Sequence, residues 1–240
     1  ANFKTLFSLS GGTSGFALVF LRVLVWTFIW AFFATFTNYF LGLLIALLIN
    51  KKGIRLKSLW RTLFVIAIAV PQFVTLLLMQ KILDVDGILN VVLGTKIRWL
   101  ADTRWNSLIP RIVIIVVNIW IGVPYTLLMC SGILMNIPAD LYESAKVDGA
   151  GVWKQYTKIT LPYMLFVTGP YLLTSFTGNM NNFNVIFLLS GGGPSMTDAA
   201  GVLGSPGKTD LLITWLFDMI TTSEPAAYNL ASVIGILVFV

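Results

Sequence analysis

Long apolar runs alternate with short polar segments along the whole chain. Phe16 to Asn50 is apolar except for Arg22 and Asn38. About 20 such residues cross a bilayer, so the run predicts one tilted helix, placed near Val23 to Ile49. Gly42 and Ala46 give it a small-xxx-small face suited to close helix packing. The segment KKGIRLKSLWR follows, with Lys51, Lys52, Arg55, Lys57 and Arg61 and no acid. Basic loops stay on the cytoplasmic side. A second span is predicted from Leu63 to Leu83, with Pro71 inside it as a kink. Asp84 to Ser107 is a polar outer connection containing Gly87, Asn90, Trp99 and Trp105. A third span runs from Ile109 to Leu134 around Pro124, and a fourth from Leu161 to Leu189, ending in SGGGP. Gly191 to Ala227 reads as an external excursion, with a short helix from Leu211 to Ile220 lying at the membrane surface. A fifth span starts at Tyr228. Residues 1 to 15 are mixed and Gly/Ser-rich and read as a lead-in. The last run reaches Val240 with no flanking charge, so the expectation is a truncated helix in a longer protein. No signal peptide is visible ahead of Phe16.

The most polar long stretch lies between the third and fourth spans: LYESAKVDGAGVWKQYTKITLP, Leu141 to Pro162. Asp140 is placed to cap a short helix, with Glu143 completing a capping box. Tyr142, Ala145 and Gly149 fall on one small-surfaced face. Gly149 and Gly151 loosen the chain around Ala150. A second short helix would carry Val152, Trp153, Tyr156 and Ile159 on one side, and Pro162 would open a new helix. The loop's charges are mixed, so its cytoplasmic side follows from counting spans from the basic loop.

Composition supports lipid as the solvent. The chain of 240 residues is 57% hydrophobic and only 11% charged, against about 25% charged in a soluble domain. Its net charge of +6 sits beside apolar spans rather than along one solvated face, which argues against nucleic acid as a partner. Cys130 is the single cysteine and there is no histidine. Internal disulfides, thiolate clusters and histidine chemistry are excluded.

Polar side chains inside the spans carry the candidate chemistry. On the fourth span Ser175, Gly178, Asn179 and Asn182 share a helical face; on the third, Asn118, Gly122 and Tyr125 do the same. Buried amides are costly unless paired. Amides, hydroxyls and aromatic faces suit a neutral sugar, whose hydroxyls need donors and acceptors and whose CH faces need flat apolar surface. The structural alternative is that the asparagines bond neighbouring helices. Gly191 to Gly193 lack the following Lys-Ser/Thr of a phosphate loop. An ion-coupled transporter would place charges in its spans, and no Asp or Glu lies within the first, third or fourth. A membrane enzyme would lack the usual acid–base and nucleophilic groups.

Glu143-Ser144-Ala145, Asp148-Gly149-Ala150 and Ile159-Thr160-Leu161-Pro162 together resemble the EAA loop of the membrane subunits of binding-protein-dependent ABC importers. The spacings from Glu143 to Gly149 and from Gly149 to Ile159 match that loop, and Ser144 replaces its first alanine. Asp86 to Asn90, Trp120 with Pro124-Tyr125, and Ser190 to Pro194 are similar to the sugar-importer branch. Asn179 to Asn184 followed by GGGP is most similar to maltose/maltodextrin permeases. The resemblance implies an all-α, type I ABC importer permease core (MetI-like) of about five to six transmembrane helices. It assigns 16–240 to that domain, with 136–162 as its cytoplasmic coupling loop. It implies a coupling role for Glu143, Ser144, Ala145, Asp148, Gly149, Ala150, Ile159, Leu161 and Pro162. It also implies sugar contacts at Asn118, Gly122, Tyr125, Ser175, Gly178, Asn179 and Asn182. Gly178 departs from a pattern that can have an aromatic there; the smaller residue would widen the site or remove a stacking platform. No cofactor is expected on this chain: ATP and Mg would sit on a partner ATPase subunit. The expected partners are a second permease subunit in a heterodimer, a cytoplasmic ATPase dimer, an extracytoplasmic sugar-binding protein and the lipid bilayer of a prokaryotic cytoplasmic membrane. The expected cargo is maltose or maltodextrin, with a galacto-oligosaccharide or glycerol phosphate as alternatives.

Overall fold

The computed structural model describes residues 14–51, 53–103, 107–196, 202, 204–222 and 228–239. Lys52, Trp105, the first 13 residues of the predicted lead-in, parts of the external excursion and Val240 lie outside them. The helices are α1 (Ser14–Phe32), a π-helical turn (Phe33–Thr37), α2 (Asn38–Asn50), α3 (Lys57–Ala69), α4 (Gln72–Ile82), α5 (Ile88–Leu93), α6 (Leu108–Leu134), α7 (Ala139–Val147), α8 (Val152–Gln155), a second π-helical turn (Tyr156–Thr160), α9 (Leu161–Met180), α10 (Phe183–Leu189), α11 (Leu212–Thr221) and α12 (Tyr228–Phe239). Among the described residues, extended pairing is confined to one antiparallel bridge between Ser195 and Gly207.

Among the described residues, three stretches are long and apolar enough to cross a membrane, Phe16–Asn50, Leu108–Leu134 and Val152–Met180, and the bent pair Lys57–Ala69 with Gln72–Ile82 passes the same test when taken together. The 27 residues of α6 rise about 40 Å, more than the roughly 30 Å of hydrocarbon. The first helix starts earlier than predicted, because Ser14 and Gly15 already belong to it. The predicted kink at Pro71 is a full break: Val70 is extended and Pro71 sits before the first residue of α4. A proline there has no N–H to continue the ladder and pushes Val70 out of the helical region. Pro124 stays inside α6 as expected.

The chain folds into two compact units. The first gathers the described parts of Ala1–Phe33, Pro71–Asn118 and Thr177–Val240. Its core packs Phe16, Val19, Phe20 and Val23 of α1 on Leu212, Trp215 and Met219 of α11 and on Ala231 and Ile234 of α12. Phe16 and Trp215 have ring centroids 5.3 Å apart. The predicted short helix is present as α11 and packs into this core, burying Leu212, Thr214, Trp215 and Met219.

The second unit gathers Ala34–Val70 and Ile119–Phe176. Tyr39, Leu43 and Ala46 of α2, Cys130 of α6 and Met164 of α9 form its core. A side chain at Gly42 would run into the Thr126 hydroxyl, so the small residue sets how closely α2 and α6 approach. Thr168 donates to the Tyr39 hydroxyl at 2.7 Å, and Thr126 donates to the Asn38 carbonyl at 2.9 Å. At the end of α2, Asn50 collects its neighbours. It donates to Ser131 at 2.9 Å, accepts from Arg61 at 2.6 Å, and its carbonyl accepts from Lys57 at 3.0 Å. Cations at a helix C-terminus also offset its partial negative charge.

Candidate functional site

The polar loop between α6 and α9 lies within the second unit. Pro138, not Asp140, is the residue before α7, and no side chain caps the helix. Asp140 instead sits in the first turn, where its charge favours the helix N-terminus. The chain leaves α7 through Gly149 at φ +73, the left-handed conformation that favours glycine. Ala150 N–H closes that end on Ala145 O at 2.8 Å. Gln155 donates to Ala150 O at 2.7 Å, and the Tyr142 and Thr160 hydroxyls share a hydrogen bond of 2.8 Å. These bonds fold α7 back onto the start of the next helix.

That next helix does not begin at Pro162. It runs from Val152 to Met180 without interruption, with the π-helical turn at Tyr156–Thr160 just before Pro162. A widened turn accommodates a residue that has no N–H to give. Ile159 and Leu161 are half-buried along this helix, whereas Glu143, Ser144, Asp148 and Pro162 are exposed. Ala145 and Ala150 are half-buried. Around Gly149, Val147 is 88% exposed, Val152 85% and Trp153 75%. Three apolar side chains held outward on a polar loop mark a contact surface.

The predicted fourth span is broken at its asparagines. α9 ends at Met180 and α10 starts at Phe183. Asn182 caps α10: its Oδ1 accepts the Val185 N–H at 3.3 Å, and its Nδ2 donates to Asn179 Oδ1 at 3.1 Å. The Asn179 carbonyl accepts the Trp30 indole N–H at 3.0 Å. Gly178 is exposed, and a Cβ there would meet open space. Asn118, in the same unit, is buried at 6% exposure and its Nδ2 has no hydrogen-bond partner. An unpaired buried donor costs about 1–3 kcal/mol.

In the second unit, Tyr125 is exposed and its ring lies 6.2 Å from that of Tyr171, with Ser175 half-buried one turn further along α9. Gly122 has a packing duty: a Cβ there would sit 2.5 Å from Asn38 Nδ2. Asn38 was visible in the sequence only as a polar interruption. The structure shows it buried, donating to Ala34 O at 2.7 Å and leaving its Oδ1 unpaired.

Two further polar hubs hold loops of the first unit. Asn90 donates to Asp84 O, Val85 O and Ile97 O at 3.1, 3.0 and 2.8 Å. It accepts from Thr95, Ile97 N–H and the Trp99 indole at 2.8, 3.2 and 3.1 Å. Asp210 accepts from Gly207 N–H and from the Thr214 hydroxyl, each at 2.7 Å. Burial pushes its carboxyl up to about 7; those two hydrogen bonds pull the other way and Asp218 adds to the rise. Among the described residues, no group of three or more His, Cys, Asp and Glu could hold a metal ion.

Residues 38–240 match the family described as "Binding-protein-dependent transport system inner membrane component". The chain is 36% identical over 227 residues to the galactooligosaccharides transport system permease protein GanP of Bacillus subtilis (strain 168), covering 92% of this chain and 52% of that protein. It is 33% identical over 250 residues to the maltodextrin transport system permease protein MalC of Streptococcus pneumoniae serotype 4, covering 99% and 54%. It is 32% identical over 244 residues to the maltose/maltodextrin transport system permease protein MalF of Escherichia coli (strain K12), covering 99% and 45%. The chain spans about half the length of the curated relatives it matches. The crystal structure of a bacterial ABC transporter involved in the import of the acidic polysaccharide alginate superposes with a TM-score of 0.67 at 21% identity, covering 98% of this chain and 76% of that chain. That likeness establishes the shared fold.

Proposed function

The chain belongs to the binding-protein-dependent transport system inner membrane component family, and on that premise we propose that it is a permease subunit of an ATP-driven importer of neutral oligosaccharides. The observation that carries the reading is the outward apolar cluster of Val147, Val152 and Trp153 around Gly149. A docking groove on a cytoplasmic ATPase subunit would cover these side chains. ATP and Mg would belong to that partner and supply the energy.

The loop follows α6 and leads directly into α9. A push on α7 reaches α9 through the Tyr142–Thr160 contact. Both helices carry proposed sugar contacts: Asn118, Gly122 and Tyr125 on α6, and Ser175, Gly178 and Asn179 on α9, with Asn182 at the break beyond. Gly122 contributes by packing on Asn38 rather than through a polar group. Alternation between two states then needs only a differential preference of the ATPase for one loop position. The coupling positions Glu143, Ser144, Ala145, Asp148, Gly149, Ala150, Ile159, Leu161 and Pro162 make up the domain's cytoplasmic loop in this proposal.

Maltodextrin is the first proposed cargo, supported by the relatives MalC and MalF. A galacto-oligosaccharide is the second, supported by the relative GanP. A second permease subunit, an ATPase dimer and an external sugar-binding protein complete the proposed complex. Uptake into proteoliposomes tests the reading. Transport should require ATP and survive collapse of the ion gradients; transport that survives ATP removal and stops with the gradients contradicts it.

A further inference from the structure

The connection between α2 and α3 is short and basic. It consists of residues 51–56, which reach no more than about 20 Å even fully extended. On one side is the membrane-crossing stretch that ends at Asn50, and on the other the bent pair that begins at Lys57. A connection this short stays at the membrane surface. Lys51, Lys52, Arg55, Lys57 and Arg61 give the segment its charge, and no acid lies among them. Two of these cations are engaged internally. Lys57 donates to the Asn50 carbonyl at 3.0 Å and Arg61 to Asn50 Oδ1 at 2.6 Å, so α3 is clipped to the end of α2. Lys51 and Arg55 are exposed. The acids of the second unit, Asp140, Glu143 and Asp148, lie on α7 or at its end.

Apolar side chains are interleaved with the cations. Ile54, Leu59 and Trp60 are exposed, and Leu56 is 70% exposed. Leu56 also occupies φ 59 and ψ 37 as the residue before α3, the left-handed region that strains a residue with a branched side chain. Its carbonyl accepts the Trp60 backbone N–H at 3.2 Å and opens the helix. In water a leucine held this way is unfavourable twice over, in its backbone and in its exposed side chain. At the surface of an acidic bilayer the second term reverses. The hydrocarbon boundary takes the apolar side chains and the head groups meet the positive charge. An indole favours the same level, because its ring is apolar and its N–H polar.

We propose that the segment from Lys51 to Trp60 is a surface anchor that selects anionic phospholipid. Ile54 and Leu56 enter the head-group boundary, Trp60 lies at its level, and Lys51 and Arg55 attract the lipid phosphates. The attraction is that of a charged surface for exposed cations. It needs proximity rather than a formed pocket or vacant hydrogen bonds. The clip at Asn50 passes the anchor's hold to both α2 and α3. This inference stands apart from the cargo reading, and uses none of the proposed sugar contacts or coupling positions.

The test is fluorescence quenching in the full-length protein, reconstituted with and without its ATPase subunit. The bilayers are phosphatidylcholine with a minor fraction of brominated phosphatidylglycerol or brominated phosphatidylcholine. The Trp60 signal is the difference between the protein and its Trp60→Phe variant. Brominated phosphatidylglycerol should quench that signal at the lower mole fraction, and added salt should narrow the gap. Lys51→Gln and Arg55→Gln should each raise the required fraction of phosphatidylglycerol roughly fivefold, the effect expected per surface cation. Lys81→Gln, an exposed cation on α4, should leave it unchanged. Leu56→Gly relieves the left-handed strain and removes the apolar contact. It should raise the thermal midpoint in detergent while weakening the quenching by both lipids. Equal quenching by the two lipids, insensitive to Lys51→Gln and Arg55→Gln, overturns the proposal. Quenching seen only without the ATPase subunit assigns this surface to that partner and overturns it as well.

Discussion

The Asn182 amide donates to Asn179 Oδ1 at 3.1 Å across the break between α9 and α10, while its own Oδ1 caps α10. Two residues that read as sugar contacts are thus already paired with each other. Removing either has a structural effect as well as any effect on cargo, and the two need separating.

Asn182→Ala should lower stability by about 1 kcal/mol through loss of the cap and should also reduce sugar-dependent activity. Asn182→Ser restores a capping oxygen but not the reach to Asn179. It should recover most of the thermal midpoint while activity stays low. Recovery of both together would reduce Asn182 to a helix cap.

Gly149 occupies φ +73 with open space around its would-be Cβ. Substitution there acts through the backbone and not through collision. Gly149→Val should cost roughly 1–2 kcal/mol locally and sharply reduce association with the ATPase subunit. Gly149→Asn, which tolerates this conformation, should keep most of it. Co-purification of the ATPase with each variant checks the order; equal association of both would remove the loop geometry from the coupling account.

Gly122 and Asn38 should behave as one packing contact. Gly122→Ala places a methyl 2.5 Å from the Asn38 amide, an overpacking of about 1–3 kcal/mol. Adding Asn38→Ala should return part of that loss, giving a coupling energy in a double-mutant cycle. Thermal unfolding of the four proteins reads it directly, and strict additivity would mean that the contact is absent in solution.

Asp210 predicts a pH dependence of the loop that it holds. Its carboxyl moves from the ordinary 3.8 up to about 7 in the folded protein. Between those values the folded state holds a proton that the unfolded chain releases. The resulting stabilisation is complete below 3.8 and is lost as pH rises through about 7. Stability should therefore fall between about pH 5 and pH 8 by an amount on the order of 2 kcal/mol, and the thermal midpoint should fall with it. Asp210→Asn stays neutral throughout and should lack this fall. Parallel pH profiles for the two proteins would remove Asp210 from the account.

Much of the fold was legible because lipid demands long apolar runs: α1 with α2, and α6, follow directly from them. The break at Pro71 was legible only as a kink, since a proline's missing N–H tells where a helix weakens but not whether tertiary packing rejoins it. The break at Asn181–Asn182 was hidden for a related reason. Asparagine caps a helix and lines a polar path with the same amide. The cap assigned to Asp140 was wrong because α7 already begins at Ala139, directly after Pro138. The packing of α11 on α1 was not legible because the two lie far apart in sequence. A side chain at Gly192 would run into the Asp210 carboxylate. Nothing local announced that contact.

The central claim is tested most directly by ATP hydrolysis in the reconstituted complex, with its binding protein and a panel of maltodextrins, galacto-oligosaccharides and glycerol phosphates. The account predicts that a neutral oligosaccharide, maltodextrin first, stimulates hydrolysis, and that Gly149→Val abolishes the stimulation. No stimulation by any solute, together with no association with an ATPase subunit, would contradict it.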